Sequence, residues 1–166
     1  AAKAPARLAG RWAVRGHQTG LGPVYGEVVM TAQPGVADGF TTTTTLTYAK
    51  SGKTVKLAGR SLVYTGFQWR GRSSETPDSP DAWREVGMVS RDQNEITGRW
   101  YTGAYAETGM DLTLTRALGP VVSGTDVPSL KTGATAQTIK IYGLNLPLKL
   151  TPADISAGQG ITVSRW

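Results

Sequence analysis

His17 is the one histidine among 166 residues, so any general base, catalytic triad or imidazole-ligated metal would have to be built around it. It stands beside Gly16 in "RGHQTGLG", near a strand end, and no nucleophile and orienting carboxylate can be argued to join it. It reads as a solvated or locally hydrogen-bonded turn residue. The glycines of "GHQTGLG" superficially suggest a phosphate loop, but the Lys-Ser/Thr ending is missing and no helix follows. "ETPDSPD" offers Glu75, Asp78 and Asp81 at spacings that match no known calcium loop. A polar stretch broken by proline is expected to stay on the surface. Glu27, Glu85, Asp92, Glu95, Glu107 and Asp111 mostly fall in turns or opposite the apolar face of strands. None makes the convergent pair that glycosidic chemistry needs. With no cysteine, the chain has no disulfide, no thiolate zinc, no iron–sulfur cluster and no haem attached through Cys-x-x-Cys-His. The expectation is that no catalytic, cofactor-binding or metal-ligating residue lies in this chain.

The formal charge is +6, which raises the question of a polyanionic partner. Clustering is what such a partner needs, and Arg11, Arg15, Arg60, Arg84, Arg99 and Arg116 stand singly among apolar and small residues. Only "RGR" at Arg70 to Arg72 is compact. Solvated strand faces are therefore expected, with no nucleic-acid partner. No apolar run approaches the roughly 18 residues of a membrane-crossing helix, so no membrane insertion is expected. The opening "AAKAPARLAG" lacks an initiator Met and a signal-like apolar region, which suggests a mature or excised segment.

The elements that must position these residues are strands. Almost every segment up to Arg116 alternates with a period of two. Trp12, Val14 and Gly16 share one face, as do Val24, Gly26, Val28 and Met30. "GFTTTTTLTYAK" is a strand too, with Phe40, Thr42, Thr44, Leu46 and Tyr48 on one side, because β-branched threonine suits a pleated surface. "KSGK" turns the chain into "TVKLAGRSLVY". Phe67 and Trp69 are assigned one face of the next strand, Val86 and Met88 one face of the strand after it, and Met110, Leu112 and Leu114 one face of the last. Consecutive hairpins of this kind predict an all-β protein, an up-and-down antiparallel barrel of about eight strands.

One pentapeptide returns at unequal intervals: "LAGRW" at Leu8, "LAGRS" at Leu57 and "ITGRW" at Ile96. The spacing excludes a tandem repeat of fixed period. Gly10, Gly59 and Gly98 are instead expected where a coiled sheet bends or another backbone comes close. Trp12 and Trp100 then plug the barrel end. With Trp69 they either fill the interior or line a ligand cup, and a packed core is the preferred reading.

After Arg116 the composition shifts. "ALGPVVSGTDVPSLKTGATAQ" reads as a linker into strands within "TIKIYGLNLP" and "GITVSRW". Two domains are expected, a barrel over 1–118 and, over 119–166, the N-terminal part of an immunoglobulin-like sandwich, whose full length is about 100 residues.

The strand opening "AGRWAVRG", the middle "YTGFQWRG", the closing "ITGRWYTGAYAETGMDLTLTR" and the Pro-led "VPSLKTGATAQTIKIYGLNLP" together resemble the non-haem part of the α subunit of bacterial quinohemoprotein amine dehydrogenase. The resemblance covers nearly the whole chain. It implies a streptavidin-like barrel followed by the start of an immunoglobulin-like domain, in a periplasmic complex that oxidises primary amines. It also implies that haem c and cysteine tryptophylquinone lie elsewhere in that complex, and that this chain holds no cofactor and no residue of the family's chemistry. The expected role is a noncatalytic structural or subunit-interaction module whose partners are the other domains and subunits. The alternative is a small-ligand carrier like lipocalin or streptavidin, which would need a cavity of about 300 Å³ or more with convergent polar groups. Single-strand nucleic-acid binding, a third possibility, would show a steep salt dependence.

Overall fold

The computed structural model describes residues 5–76, 79–102, 109–133, 135–147 and 149–166. Eight antiparallel strands close into a barrel in simple sequence order. They are β1 (Gly10–Gln18), β2 (Gly22–Ala32), β3 (Gly39–Tyr48), β4 (Thr54–Tyr64), β5 (Gln68–Ser74), β6 (Trp83–Val89), β7 (Glu95–Tyr101) and β8 (Met110–Arg116). Closure comes from β1 pairing with β8, in register from Trp12↔Arg116 to Gln18↔Met110. The predicted meander is therefore the observed one, and closure leaves the barrel no free hydrogen-bonding edge.

Period-two alternation puts Trp12, Val14, Val24, Val28, Met30, Phe40, Leu46, Leu57, Val63, Trp69, Ile96, Trp100, Met110, Leu112 and Leu114 in one buried cluster. One expected face assignment fails, and another holds with the pair turned outward. Phe67 lies in the turn before β5 and is 41% exposed, while Trp69 is buried. Along β6 the inward residues are Glu85, Gly87 and Val89, and Met88 is 59% exposed. The more apolar set of that strand faces out because the inward carboxyl finds hydrogen-bond donors inside the barrel.

The repeated pentapeptide has more than one physical basis. Gly59 and Gly98 sit mid-strand, where a Cβ would collide with the carbonyl oxygens of Arg72 and Val86 on the neighbouring strands. Gly10 begins β1 with φ +130°, a conformation L side chains rarely adopt. Trp12 and Trp100 do not plug the same end. Trp12 pairs with the last residue of β8, whereas Trp100 pairs with its first, Met110.

At the Trp12 end, the indole Nε1–H donates to the Leu8 carbonyl at 2.9 Å. Arg116 covers the ring, its guanidinium carbon 4.4 Å from the centroid. Its remaining donors reach the carbonyls of Arg7 and Gln93, both at 2.7 Å, and Asn94 Oδ1 at 3.1 Å. Residues before β1 are thereby tied to the β6–β7 turn.

Beyond the barrel, β9 (Val121–Thr125) pairs antiparallel with β10 (Ile141–Leu144). The segment read as linker thus contains a strand, and "GITVSRW" carries none. The two-stranded sheet packs on the outside of β1 and β2. Tyr25 stacks on Tyr142 at 4.8 Å and donates its hydroxyl to the Thr125 carbonyl at 2.7 Å. Arg11 Nη1 donates to Asn145 Oδ1 at 2.6 Å. A 3-10 turn at Pro152–Asp154 follows, with the Thr151 N–H and hydroxyl both bonded to Asp154.

Candidate functional site

The barrel interior is polar along one wall. On β3 to β6, Thr42, Thr44, Ser61, Ser73 and Glu85 are all buried. Glu85 lies between Gly71 of β5 and Trp100 of β7 in the strand register. Its carboxylate accepts from Ser73 Oγ at 3.0 Å, Ser61 Oγ at 3.1 Å and Trp69 Nε1 at 3.2 Å. Gly71 leaves the space for this network, since a Cβ there would run into the Ser61 hydroxyl and the Glu85 carboxylate. Burial pushes the Glu85 carboxyl up from 4.5 to about 7, against the three donors, which pull it down.

A carboxyl in that range is what general acid or base work requires. The groups bonded to it are two hydroxyls and an indole, and no charged neighbour contributes to its shift. Among the described residues the arrangement is a satisfied polar network of one acid, with no second acid and no imidazole bonded to it. Beside it, the Thr42 and Thr44 hydroxyls are buried with no hydrogen-bond partner.

Glu85 corrects the sequence reading, which placed the acids in turns or opposite the apolar face. The signal was present in "GRSL" and "RGRSS". Both serines share the inward face with Leu57, Val63 and Trp69, so two hydroxyls point at whatever β6 turns inward.

The other described acids among these lie in turns, in loops or on outward strand faces. Glu27 pairs with Arg11 at 2.8 Å, and Asp111 with Arg99 at 3.0 Å. Asp92 caps its turn, and hydrogen bonds from Ser90 and the Asn94 N–H hold its carboxyl below the ordinary value. Glu95 is exposed at the start of β7, and Glu75 and Asp81 are exposed in the β5–β6 loop. Asp78 and Glu107 fall outside the described residues. Among the described residues no cluster of three or more His, Asp or Glu side chains could hold a metal.

His17 is exposed on β1, opposite Asp111 of β8. The two line an outer concavity of about 480 Å³ with Arg15, Tyr25 and Ser123. Asp111 bonds to Arg99 there, so the geometry does not supply the oriented base a triad needs.

Among solved structures, the chain is similar to a de novo designed fluorescence-activating β-barrel, with a TM-score of 0.50 and 17% identity, over 70% of this chain and 99% of that one. EF1p2_mFAP2b bound to DFHBI is similar at a TM-score of 0.46 and 18% identity, over 66% of this chain and 93% of that one. The first likeness shows the barrel fold alone. No curated protein matches the chain. The family described as quinohemoprotein amine dehydrogenase, alpha subunit domain II, matches residues 5–117, which contain all eight barrel strands. The chain belongs to that family.

Proposed function

We propose that this chain is a noncatalytic structural and subunit-interaction module of a periplasmic amine dehydrogenase, with amine oxidation and electron transfer to haem c located elsewhere in the complex. In this reading residues 1–118 form the barrel domain, and 119–166 begin an immunoglobulin-like domain. One observation carries it. The stretch that matches the α-subunit family is a barrel filled by Trp12, Trp69, Trp100 and their aliphatic neighbours, in which the only buried carboxyl group described is the internally satisfied Glu85. Amine-dependent reduction of a dye by the purified chain tests the reading. No turnover is expected alone, and turnover without added subunits overturns it.

The carrier reading keeps one observation in its favour, the partnerless Thr42 and Thr44 hydroxyls beside the Glu85 network. A ligand seated there would quench the fluorescence of Trp69. Titration with small amines and alcohols that leaves this emission unchanged removes the carrier.

A further inference from the structure

The two halves of the outer wall differ in charge. On β1, β2, β7 and β8, outward cations meet acids, as in Arg11–Glu27 and Arg99–Asp111. On β3 to β6 the outward positions hold Lys56, Arg60, Arg70, Arg72 and Arg84 and no carboxylate at all. Register makes this sharper. Arg60 lies opposite Arg72, and Arg72 opposite Arg84, so three exposed guanidiniums form a row across adjacent strands. Like charges placed directly opposite destabilise a sheet. Among the described residues no ion pair relieves Arg60, Arg72 or Arg84.

This wall also carries an open groove of about 1250 Å³ in which Arg60, Arg70 and Arg72 stand among Thr41 and Thr43, with half-exposed Tyr64 at one end. It lies away from the β9–β10 sheet, which is seated on β1 and β2, and is bordered by the β2–β3 turn at Gln33 and Val36 and by the β5–β6 loop at Ser79, Pro80 and Ala82. We propose that this row docks a carboxylate-rich segment of a partner polypeptide, a reading that rests on the module function and names its contact face. The guanidinium fork fits carboxylates in bidentate fashion. Strands lie about 4.8 Å apart, so the row repeats at close to the 5.4 Å of one helical turn. A helix bearing one acid per turn would meet all three arginines. The row ends after three, too short to track the backbone of a nucleic acid.

The test uses the whole 166-residue chain. The probe is a dye-labelled helical peptide with Glu once per turn on one face, titrated at low salt. Comparison probes are a scrambled peptide of equal charge, phosphatidylglycerol vesicles and an oligothymidylate. The variant Arg60→Gln/Arg72→Gln/Arg84→Gln should bind the helical peptide at least tenfold more weakly than the parent. The charge-matched control Arg7→Gln/Arg15→Gln/Arg91→Gln should bind it within twofold of the parent. Equal losses in both variants would reduce the effect to net charge and overturn the proposal. So would row-dependent binding of the vesicles or the oligonucleotide that is tighter than that of the peptide. If the triple variant does not fold, Arg72→Gln alone should give at least a threefold loss, and no loss overturns the proposal. Amine turnover by the chain alone would end the module reading without touching this result, whereas row-independent binding would end the docking face and leave the module standing.

Discussion

The guanidinium of Arg116 lies over the indole of Trp12, 4.4 Å from its centroid, and joins the two strands that close the barrel. Each residue is also hydrogen-bonded to the segment before β1, Trp12 to Leu8 and Arg116 to Arg7. One stacked pair therefore caps the core and fixes the entering chain.

Replacing Arg116 should loosen both. A partly desolvated cation–π contact is worth about 1–2 kcal/mol, and a hydrogen bond from a charged donor about 1.5–3 kcal/mol. Because these overlap, Arg116→Ala should cost about 3 kcal/mol in urea unfolding. Arg116→Lys should recover less than half, since an ammonium cannot reach the same fork of carbonyls. A loss under about 1 kcal/mol would show that the cap is ornamental.

Glu85 makes stability depend on pH in a defined direction. Its folded value of about 7 lies above the 4.5 of the ordinary group, so between those values the folded chain holds a proton that the unfolded chain has released. The contribution is fully favourable below pH 4.5 and is lost as pH rises through 7. A shift of this size corresponds to about 3 kcal/mol. Unfolding free energy should fall between pH 5 and 8, and Glu85→Gln should flatten that slope. An unchanged slope in the variant would assign the effect to another group.

The glycines separate into crowded strand positions and open loop positions. At Gly98 a Cβ meets the Val86 carbonyl, whereas at Gly119 nothing lies within 4 Å. Gly98→Ala should cost about 1–3 kcal/mol, in the range of overpacked cores. Gly119→Ala should stay within about 0.5 kcal/mol, as surface changes do. Thermal unfolding of the two variants side by side checks the contrast.

The small β9–β10 sheet should open independently of the barrel. Tyr142→Ala removes its stacking on Tyr25, a contact worth about 0.5–1.5 kcal/mol. Amide exchange at Val121 to Thr125 should accelerate severalfold while the barrel strands keep their protection. Loss of protection at both would mean that the two sheets unfold as one.

The barrel was legible because alternation over β1 to β4 and β8 is nearly unbroken, and because hairpin turns such as Ser51–Gly52 separate the runs. β6 was misread for a physical reason. In "WREVGMV" the outward set Val86 and Met88 is more apolar than the inward set Glu85 and Gly87, and only the serines on β4 and β5 reverse the choice. Trp12 and Trp100 share a motif, yet motif position says nothing of strand direction, so their opposite ends were hidden. The arginine row was hidden as well. Arg60 and Arg84 stand singly along the sequence and Arg72 belongs to "RGR", and the three become neighbours only through pairing register.

Because Trp12 is registered against Arg116, the polypeptide leaves the cylinder beside the point where it came in. Such a unit behaves like a cassette. It can be spliced into a longer chain without separating the flanking segments, and its natural junction can be moved. A circular permutant with new ends at the Ser51–Gly52 hairpin, and the old ones bridged by a short glycine linker, should still assemble the same β1–β8 seam.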